Sequence, residues 1–176
     1  SKLASQKQAD QIVNCCCGTF LLGLAVWKAM GRKENISCYG EEFNPYLCAF
    51  SRLMLFLCGV KDFSVKEMDI LNSIEFDGND KLSRVFTADI PLAGNRTYTV
   101  ICTGNRTIHI PQNDHFLSKQ KKHTLYADWV MIYNILKRVN TGDSAFLLIT
   151  KGALVRENER FMREYLIESD YVDAVI

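Results

Sequence analysis

The chain has 176 residues, of which 48% are apolar, so it can bury one hydrophobic core and we expect a single domain over residues 1–176. Its formal net charge of +1 excludes a basic field over the whole surface and restricts any nucleic-acid contact to a local patch. No stretch approaches the roughly 20 apolar residues that span a bilayer, and Ser1–Asp10 is too polar for a secretory leader. We therefore expect a cytoplasmic protein without membrane contact.

The seven cysteines predict free thiols rather than a disulfide framework. Three of them are adjacent, Cys15–Cys17, in or beside an apolar segment that suits buried thiols. No Cys-x-x-Cys pair or His/Cys cluster has the spacing of a zinc site, so we predict no metal.

The first 42 residues have the pattern of half a nucleotide-binding βαβ unit. Gly18 predicts a tight turn that presents backbone N–H groups at a helix N-terminus to a polar or anionic ligand. Glu42 follows 24 residues later, where an acidic residue can accept hydrogen bonds from a ribose diol. The alternative is a structural turn with a solvated Glu42. The predicted elements are the strand Gln11–Asn14, the turn Cys17-Gly18-Thr19, the helix Phe20–Met30 and the strand Ile36–Tyr39, which runs on into Gly40-Glu41-Glu42.

Strands and helices continue to alternate along the chain, which predicts an open, mostly parallel α/β sheet with helices on both faces. Ligands of such sheets bind at the carboxyl ends of the strands, where Glu42, Asp69 and Asp89 are expected. The apolar strand Ala145–Thr150 has the pattern of a central strand. The other predicted elements are the helix Pro45–Cys58, the strands Phe63–Met68 and Arg84–Ala88, the helices Asp128–Val139 and Glu157–Ser169, and a strand beginning at Val172–Ile176.

Residues 93–127 interrupt this alternation and carry five basic residues against one acid. Gly104-Asn105 between two β-prone segments predicts a hairpin. One interpretation is a solvated excursion; the other is an insertion that contacts nucleic-acid phosphates. The candidate contacts are Arg96, Arg106, Lys119, Lys121 and Lys122.

A series of motifs in this order resembles the adenine DNA methyltransferases of type I restriction–modification systems, namely the catalytic domain of their modification subunit. The resemblance covers nearly the whole chain and implies a Rossmann-like class I S-adenosylmethionine-dependent methyltransferase fold. The motifs are Cys17-Gly18-Thr19, Gly40-Glu41-Glu42-Phe43-Asn44-Pro45, Met68-Asp69-Ile70-Leu71, Asp89-Ile90-Pro91-Leu92, Ala127-Asp128-Trp129, Gly152-Ala153-Leu154 and Arg163-Glu164-Tyr165-Leu166-Ile167-Glu168.

The resemblance implies roles for individual residues. Cys17, Gly18 and Thr19 would lie beside S-adenosylmethionine, Glu42 would hold its ribose hydroxyls and Asp69 would face its adenine.

The implied reaction is methyl transfer to the 6-amino group of adenine in DNA. Asp89 would accept that group's hydrogens, Pro91 would hold the adjoining carbonyl, and Leu92 stands where an aromatic ring stacks on the extruded base. The implied partners are DNA and the specificity and restriction subunits, of which the specificity subunit selects the DNA site.

The sequence departs from the family pattern at the Cys17-Gly18-Thr19 motif and at the catalytic loop Asp89–Leu92. Asn14 and Cys15 replace Asp and Pro, and Thr19 runs directly into Phe20, two residues short and without the second glycine. In the catalytic loop Ile90 replaces a proline and Leu92 replaces the aromatic ring. These changes keep open a non-catalytic relative that binds cofactor or subunits. A nicotinamide oxidoreductase is a further alternative, but the three-glycine fingerprint is missing.

Overall fold

The computed structural model describes residues 9–71, 82–91, 96–102, 108–109 and 122–176. The chain forms two compact units. The first contains Ser1–Pro91 and Met131–Leu148, and the second contains Leu92–Val130 and Ile149–Ile176. The single domain expected from the sequence stays a prediction.

The first unit is built on a five-stranded parallel sheet in the order β3-β2-β1-β4-β8. The strand β1 lies at its centre, with Asn14 opposite both Gly40 and Thr87. The strands are β1 (Gln11–Cys15), β2 (Ser37–Glu42), β3 (Phe63–Glu67), β4 (Arg84–Asp89) and, after β5 to β7 of the second unit, β8 (Ser144–Leu148).

Two helices pack on this sheet. Helix α1 (Leu21–Ala29) contacts β1 and β4, and helix α2 (Pro45–Leu57) contacts β2 and β3. Helix α2 begins where the sequence predicts it, because the Asn44 side chain accepts the N–H of Tyr46 at 2.9 Å. The core between helices and sheet is apolar and includes Ile12, Phe20, Trp27, Ile36, Leu55 and Val85.

The second unit contains a three-stranded antiparallel sheet in the order β6-β5-β7 and most of the short helices. The strands β5 and β6 pair antiparallel as the hairpin pattern predicts, while residues 103–107 between them lie outside the described ranges. Helix α3 begins directly after β7 and runs from this unit into the first. The elements are β5 (Thr97–Cys102), β6 (Ile108–His109), β7 (Lys122–Tyr126), α3 (Ala127–Leu136), α4 (Lys151–Val155), the 3₁₀ turn Glu157–Glu159 and α5 (Arg160–Glu168).

Two sequence expectations about strands were wrong. Among the described residues the strand β8 pairs only with β4, so it stands at the end of the described sheet rather than in its centre, and its residues are half-buried or exposed. An apolar run does not by itself distinguish the two positions, because edge strands also pack one face on a core. The segment Val172–Ile176 forms no strand and its residues are exposed.

Candidate cofactor site at the carboxyl edge of the parallel sheet

The strand register brings the ends of four strands to one edge of the first unit. Glu42 ends β2 opposite Glu67 of β3, and Asp69 follows two residues beyond Glu67. The turn Cys17-Gly18-Thr19 leaves the end of β1, and Asp89 ends β4 on its other side. Because neighbouring strands lie about 4.8 Å apart, these candidate residues occupy adjacent places along one edge.

The Gly18 turn is fastened directly to Glu42. The Gly18 N–H donates to Oε2 of Glu42 at 2.8 Å, and the Asn44 N–H donates to Oε1 at 2.9 Å. The carbonyl of Gly18 accepts the Ser51 hydroxyl at 2.6 Å, so both backbone groups of the glycine are bonded. Gly18 has φ +53°, a conformation that glycine adopts without steric cost. The carboxylate of Glu42 therefore fixes the turn beside it.

Phe20 explains how a turn two residues shorter than the family pattern still enters a helix. This residue precedes α1 with φ +66°, in the left-handed region, and its ring is fully buried. The ring lies against Gly40, where an added Cβ would stand 2.9 Å from Cε2, and against Gly23, where an added Cβ would overlap Cε1. The turn therefore enters α1 through a single residue in the left-handed region, with its ring packed against two glycines.

The residues of this edge fit the nucleoside part of S-adenosylmethionine. Among the described residues, apart from Gly18 and its two chain neighbours, no heavy atom lies within 4 Å of the position that a Cβ on Gly18 would occupy, so these residues leave open space beside the turn. A carboxylate has about four acceptor positions, and the described contacts of Glu42 use two, which leaves positions for ribose hydroxyls. The Asp69 carboxylate accepts the Leu71 N–H at 3.0 Å through Oδ1 and is itself half-buried.

The thiols beside the turn stay protonated at neutral pH because burial raises the pKa of each. Burial, with a smaller contribution from Glu42, raises the pKa of Cys16 to about 12. Burial likewise raises the pKa of Cys17 to about 12, although a hydrogen bond to Ser51 opposes this. Cys17 therefore contributes packing and backbone contacts to the turn and no thiolate.

The catalytic-loop candidates lie at the end of β4 and just beyond it. Asp89 is the exposed last residue of the strand, and Pro91 is exposed as well. Ile90 between them is buried, and its N–H donates to the Leu148 carbonyl of β8 at 3.0 Å. Leu92 lies outside the described residues.

The basic candidates belong to the second unit. Arg96 is exposed and precedes Thr97, which pairs with Tyr126 at one end of the β5–β7 ladder. Lys122 pairs with Ile101 at the other end. Arg96 and Lys122 are therefore about five residues apart along the ladder. At about 3.4 Å per residue this is roughly 17 Å, so the two residues do not form one cluster. Arg106, Lys119 and Lys121 lie outside the described residues.

Comparison with known proteins decides the family. The model of the N-6 DNA Methylase family matches residues 1–176, the whole chain. The chain belongs to the N-6 DNA methylase family. It is 23% identical over 184 residues to the type I restriction enzyme MpnII methylase subunit of Mycoplasma pneumoniae, covering 99% of this chain and 33% of that protein.

Two solved structures share the fold of this chain. A type I restriction-modification system methyltransferase subunit from Streptococcus thermophilus matches with a TM-score of 0.70 and 14% identity, over 98% of this chain and 37% of that one. A modification subunit of a putative type I restriction enzyme from Vibrio vulnificus YJ016 matches with a TM-score of 0.63 and 13% identity, over 94% and 35%. The methyltransferase fold and the family predicted from the sequence are confirmed. The chain spans about a third of the length of these relatives.

A buried ion pair lies next to the site, and sequence reasoning did not predict it. Both oxygens of Glu41 accept hydrogen bonds from Arg138, at 2.7 and 2.9 Å, and Nη2 of Arg138 also approaches the Cys15 sulfur at 3.0 Å. Burial opposes the charge on the arginine, but its hydrogen bonds to Glu41 outweigh this and raise the pKa of Arg138. The pair joins the ends of β1 and β2, the two strands that carry Gly18 and Glu42.

Asn14, the replacement for the family's aspartate, is also buried and bonded. With its amide oriented so that the nitrogen donates to the Thr87 carbonyl at 3.2 Å, its oxygen accepts the Gly23 N–H at 3.3 Å. A neutral amide thus joins β1, β4 and α1 at the position where the family carries a charge.

The family motifs of the second unit form a structural network. Asp128 accepts two hydrogen bonds from Nη2 of Arg156, both at 2.7 Å, and one from the Trp129 N–H at 2.8 Å. The indole of Trp129 donates to the Ala153 carbonyl at 3.1 Å, and Arg163 donates to the same carbonyl at 3.2 Å. These motif residues join the start of α3 to α4 and α5.

Away from the candidate site, the described parts of the chain include a surface depression but no cluster of metal-ligand side chains. A surface depression lined by Ala9, Asp10, Lys33, Asn35 and Ser83 lies at the amino ends of β1, β2 and β4, the edge opposite Glu42. Among all the described residues, no group of three His, Cys, Asp or Glu side chains is arranged to hold a metal ion. The helices of these same ranges are all too short or too polar to cross a membrane.

Proposed function

We propose that the chain transfers a methyl group from S-adenosylmethionine to the 6-amino group of adenine in DNA, as part of a restriction–modification system in the cytoplasm. The observation that carries this proposal is the 2.8 Å bond between Gly18 N–H and Glu42, at the sheet edge that also bears Asp69 and Asp89. Two further points support it: the N-6 DNA methylase family model matches the whole chain, and open α/β sheets bind their ligands at this edge.

In this proposal Glu42 accepts the two ribose hydroxyls with the acceptor positions that its backbone contacts leave free. Asp69 faces the 6-amino group of the cofactor's adenine, and Cys17, Gly18 and Thr19 line the cofactor with backbone. When bound, S-adenosylmethionine supplies an electrophilic methyl group.

The carboxylate of Asp89 accepts hydrogen bonds from the N–H groups of the target amino group, which keeps the nitrogen lone pair available for the methyl group. Its exposure at the end of β4 leaves it accessible to a base extruded from a duplex. Pro91 directs the adjoining carbonyl to the same amino group, and Leu92 offers the base an apolar contact without π-stacking.

The proposed partners are DNA, a specificity subunit that selects the methylated site, and a restriction subunit. They rest on the family and on the relatives, which are described as methylase subunits of type I restriction enzymes. The basic residues of the insertion, Arg96, Arg106, Lys119, Lys121 and Lys122, are the proposed phosphate contacts.

The proposal is tested by methyl transfer. The chain, alone and with a specificity subunit, is incubated with labelled S-adenosylmethionine and duplex DNA, and N6-methyladenine is measured by mass spectrometry. We expect weak transfer, more transfer for Leu92→Tyr because a ring stacks on the extruded base, and none for Asp89→Ala. A duplex in which adenine is already N6-methylated is the matched control. Transfer by Asp89→Ala at the parent rate contradicts the assigned mechanism.

A non-catalytic relative is the second candidate, favoured by Ile90. Its burial and its hydrogen bond to Leu148 bind the centre of the loop to β8, where the family has a proline. Binding of S-adenosylmethionine without transfer, in the parent and in Leu92→Tyr with the subunit present, supports this second candidate over the first.

A further inference from the structure

The part of α3 that belongs to the first unit carries buried polar side chains among apolar ones. Met131, Ile132 and Ile135 are buried, and so are Asn134 and, just beyond the end of the helix, Arg138. A helical segment buried in this way is normally apolar. A buried amide or guanidinium needs hydrogen bonds that compensate its desolvation. The partners of Asn134 and Arg138 therefore indicate what these two side chains do.

Asn134 holds the segment that carries Asp69. Its side-chain amide donates to the Ile70 carbonyl at 2.8 Å, across 64 residues of sequence. The Ile70 side chain is buried, and the Leu71 N–H donates back to Oδ1 of Asp69 at 3.0 Å. On the other side of Asp69, the Met68 N–H donates to a carbonyl of β2 at 2.9 Å. The backbone is therefore fixed before and after Asp69, and Asn134 provides the fixed point after it.

Arg138 holds the end of β2. Its guanidinium donates to both carboxylate oxygens of Glu41, at 2.7 and 2.9 Å. The Glu41 carbonyl in turn accepts the Cys17 N–H at 2.8 Å. Glu41 and Glu42 are consecutive in a strand, so their side chains point to opposite faces of the sheet. Arg138 therefore fixes the strand end from one face, while the Glu42 carboxylate contacts the Gly18 turn on the other.

Both contacts come from one side of α3. Asn134 and Arg138 are four residues apart, the spacing that brings side chains together along a helix surface. The Arg138 N–H donates to the Ile135 carbonyl at 3.0 Å, so the helical turn extends to it. One of the two side chains contacts the residue after Asp69, and the other contacts the residue before Glu42. The same turn of chain therefore supports both acidic residues of the candidate cofactor site.

We infer that Asn134 and Arg138 are positioning residues that set the cofactor specificity of this site, one for the base and one for the ribose. Asn134 keeps Asp69 where its carboxylate accepts a hydrogen bond from the 6-amino group of adenine, so loss of this contact relaxes the choice of base. Arg138 keeps Glu42 where it accepts the ribose hydroxyls, so loss of that contact relaxes the choice of sugar. This inference rests on the proposed binding of S-adenosylmethionine, but it is independent of methyl transfer.

The test measures the binding of S-adenosylhomocysteine and two analogues to the chain by calorimetry. One analogue has a 6-oxo group in place of the 6-amino group, and the other has a 2′-deoxyribose. We expect the parent to prefer S-adenosylhomocysteine over either analogue by about tenfold or more, because each analogue loses a hydrogen bond to a carboxylate. Asn134→Leu should lower the preference over the 6-oxo analogue by about fivefold and leave the preference over the 2′-deoxy analogue unchanged.

The variant Glu41→Gln/Arg138→Met removes the ion pair without leaving a buried charge, and it should give the reverse result. Its preference over the 2′-deoxy analogue should fall, and its preference over the 6-oxo analogue should stay. Asn134→His keeps an N–H donor on an atom bonded to Cγ and should retain the parent's choice of base. Ile135→Ala is the matched control, because Ile135 is fully buried in the same helix and its truncation removes neither contact. Its preferences should equal those of the parent.

A second measurement needs no ligand. Loss of the contact to the Ile70 carbonyl should speed hydrogen exchange in the segment that contains Leu71, and mass spectrometry of the unliganded chain measures that exchange. Asn134→Leu should exchange faster there than Ile135→Ala, and equal rates contradict the inference.

Three binding results overturn the inference and leave the proposed cofactor site standing. They are a parent that binds all three ligands equally, an Asn134→Leu variant with the parent's choice of base, and an Asn134→Leu variant that loses both preferences in parallel, as a general loss of structure would cause. A parent that binds none of the ligands overturns the proposed cofactor site and the inference with it. The expected preferences without methyl transfer support the inference and contradict only the proposed reaction.

Discussion

The N–H of Gly18 donates to the carboxylate of Glu42 across 2.8 Å, and this bond couples the turn after β1 to the end of β2. A change at either residue is transmitted to the other, because the carboxylate both orients the turn and stands where a ribose is bound in the proposed site. The first prediction concerns this carboxylate.

Glu42→Ala should weaken S-adenosylmethionine binding by about 1–3 kcal/mol, the contribution of a hydrogen bond to a charged group. Isothermal titration calorimetry measures the change. Glu67→Ala is the control, because Glu67 is an exposed glutamate opposite Glu42 in the strand register. Equal affinities of Glu42→Ala and the parent would remove Glu42 from the site.

Arg138→Met should destabilise the first unit by about 3–5 kcal/mol, because it leaves the buried Glu41 carboxylate without its cation. Urea unfolding followed by circular dichroism measures this loss. The double variant Glu41→Gln/Arg138→Met should recover part of it, since no buried charge remains. Arg160→Met is the control: its ion pair with Glu164 is exposed to solvent, so its loss should leave the stability nearly unchanged. An Arg138→Met loss no larger than that of Arg160→Met contradicts the prediction.

The melting temperature should fall as pH rises from 9 to 12. Burial raises the pKa of Cys16, Cys17 and Cys38 from 9.0 to about 12 in the folded chain, whereas the unfolded chain releases these protons near pH 9. Their contribution is therefore fully present below pH 9 and is lost as pH approaches 12. Differential scanning calorimetry should show a smaller fall for Cys38→Ala. A fall that this variant leaves unchanged assigns the alkaline sensitivity to other groups.

Replacing Lys119, Lys121 and Lys122 with Gln should weaken DNA binding equally for all sequences. If each contacts a phosphate, the slope of log affinity against log salt falls by about 0.9 per contact. Fluorescence anisotropy at several salt concentrations measures the slope. Replacing Lys28, Lys33 and Lys137 of the first unit with Gln removes the same charge and is the control. A slope that stays at the parent value would indicate that the insertion is a solvated excursion without phosphate contacts.

The sequence is sufficient to predict the parallel sheet and the convergence of Gly18, Glu42, Asp69 and Asp89 on one edge. Both follow from local patterns, because the alternation of strands and helices fixes the strand direction and hence which ends meet. The motif order is sufficient to predict the family for the same reason, since it is read along the chain.

Contacts between distant parts of the chain were not predictable. Glu41 and Arg138 are 97 residues apart. Nothing in the sequence near Arg138 indicates that its side chain is buried against the ends of β1 and β2. The left-handed backbone of Phe20 also has no sequence signal, because a phenylalanine rarely adopts it. The position of β8 at the end of the described sheet depends on which strands pair with it. The residues of β8 alone do not indicate that pairing.

The contact of the Phe20 ring with Gly23 and Gly40 imposes a constraint on sequence divergence. Any side chain at position 23 or 40 collides with the ring, so neither glycine can drift while the phenylalanine remains. With two more residues in the turn, position 20 would no longer need a left-handed backbone. The ring would then no longer restrict positions 23 and 40. Homologues with the short turn should therefore keep an aromatic residue and both glycines as an inherited block, and homologues with the longer turn should vary at all three positions independently.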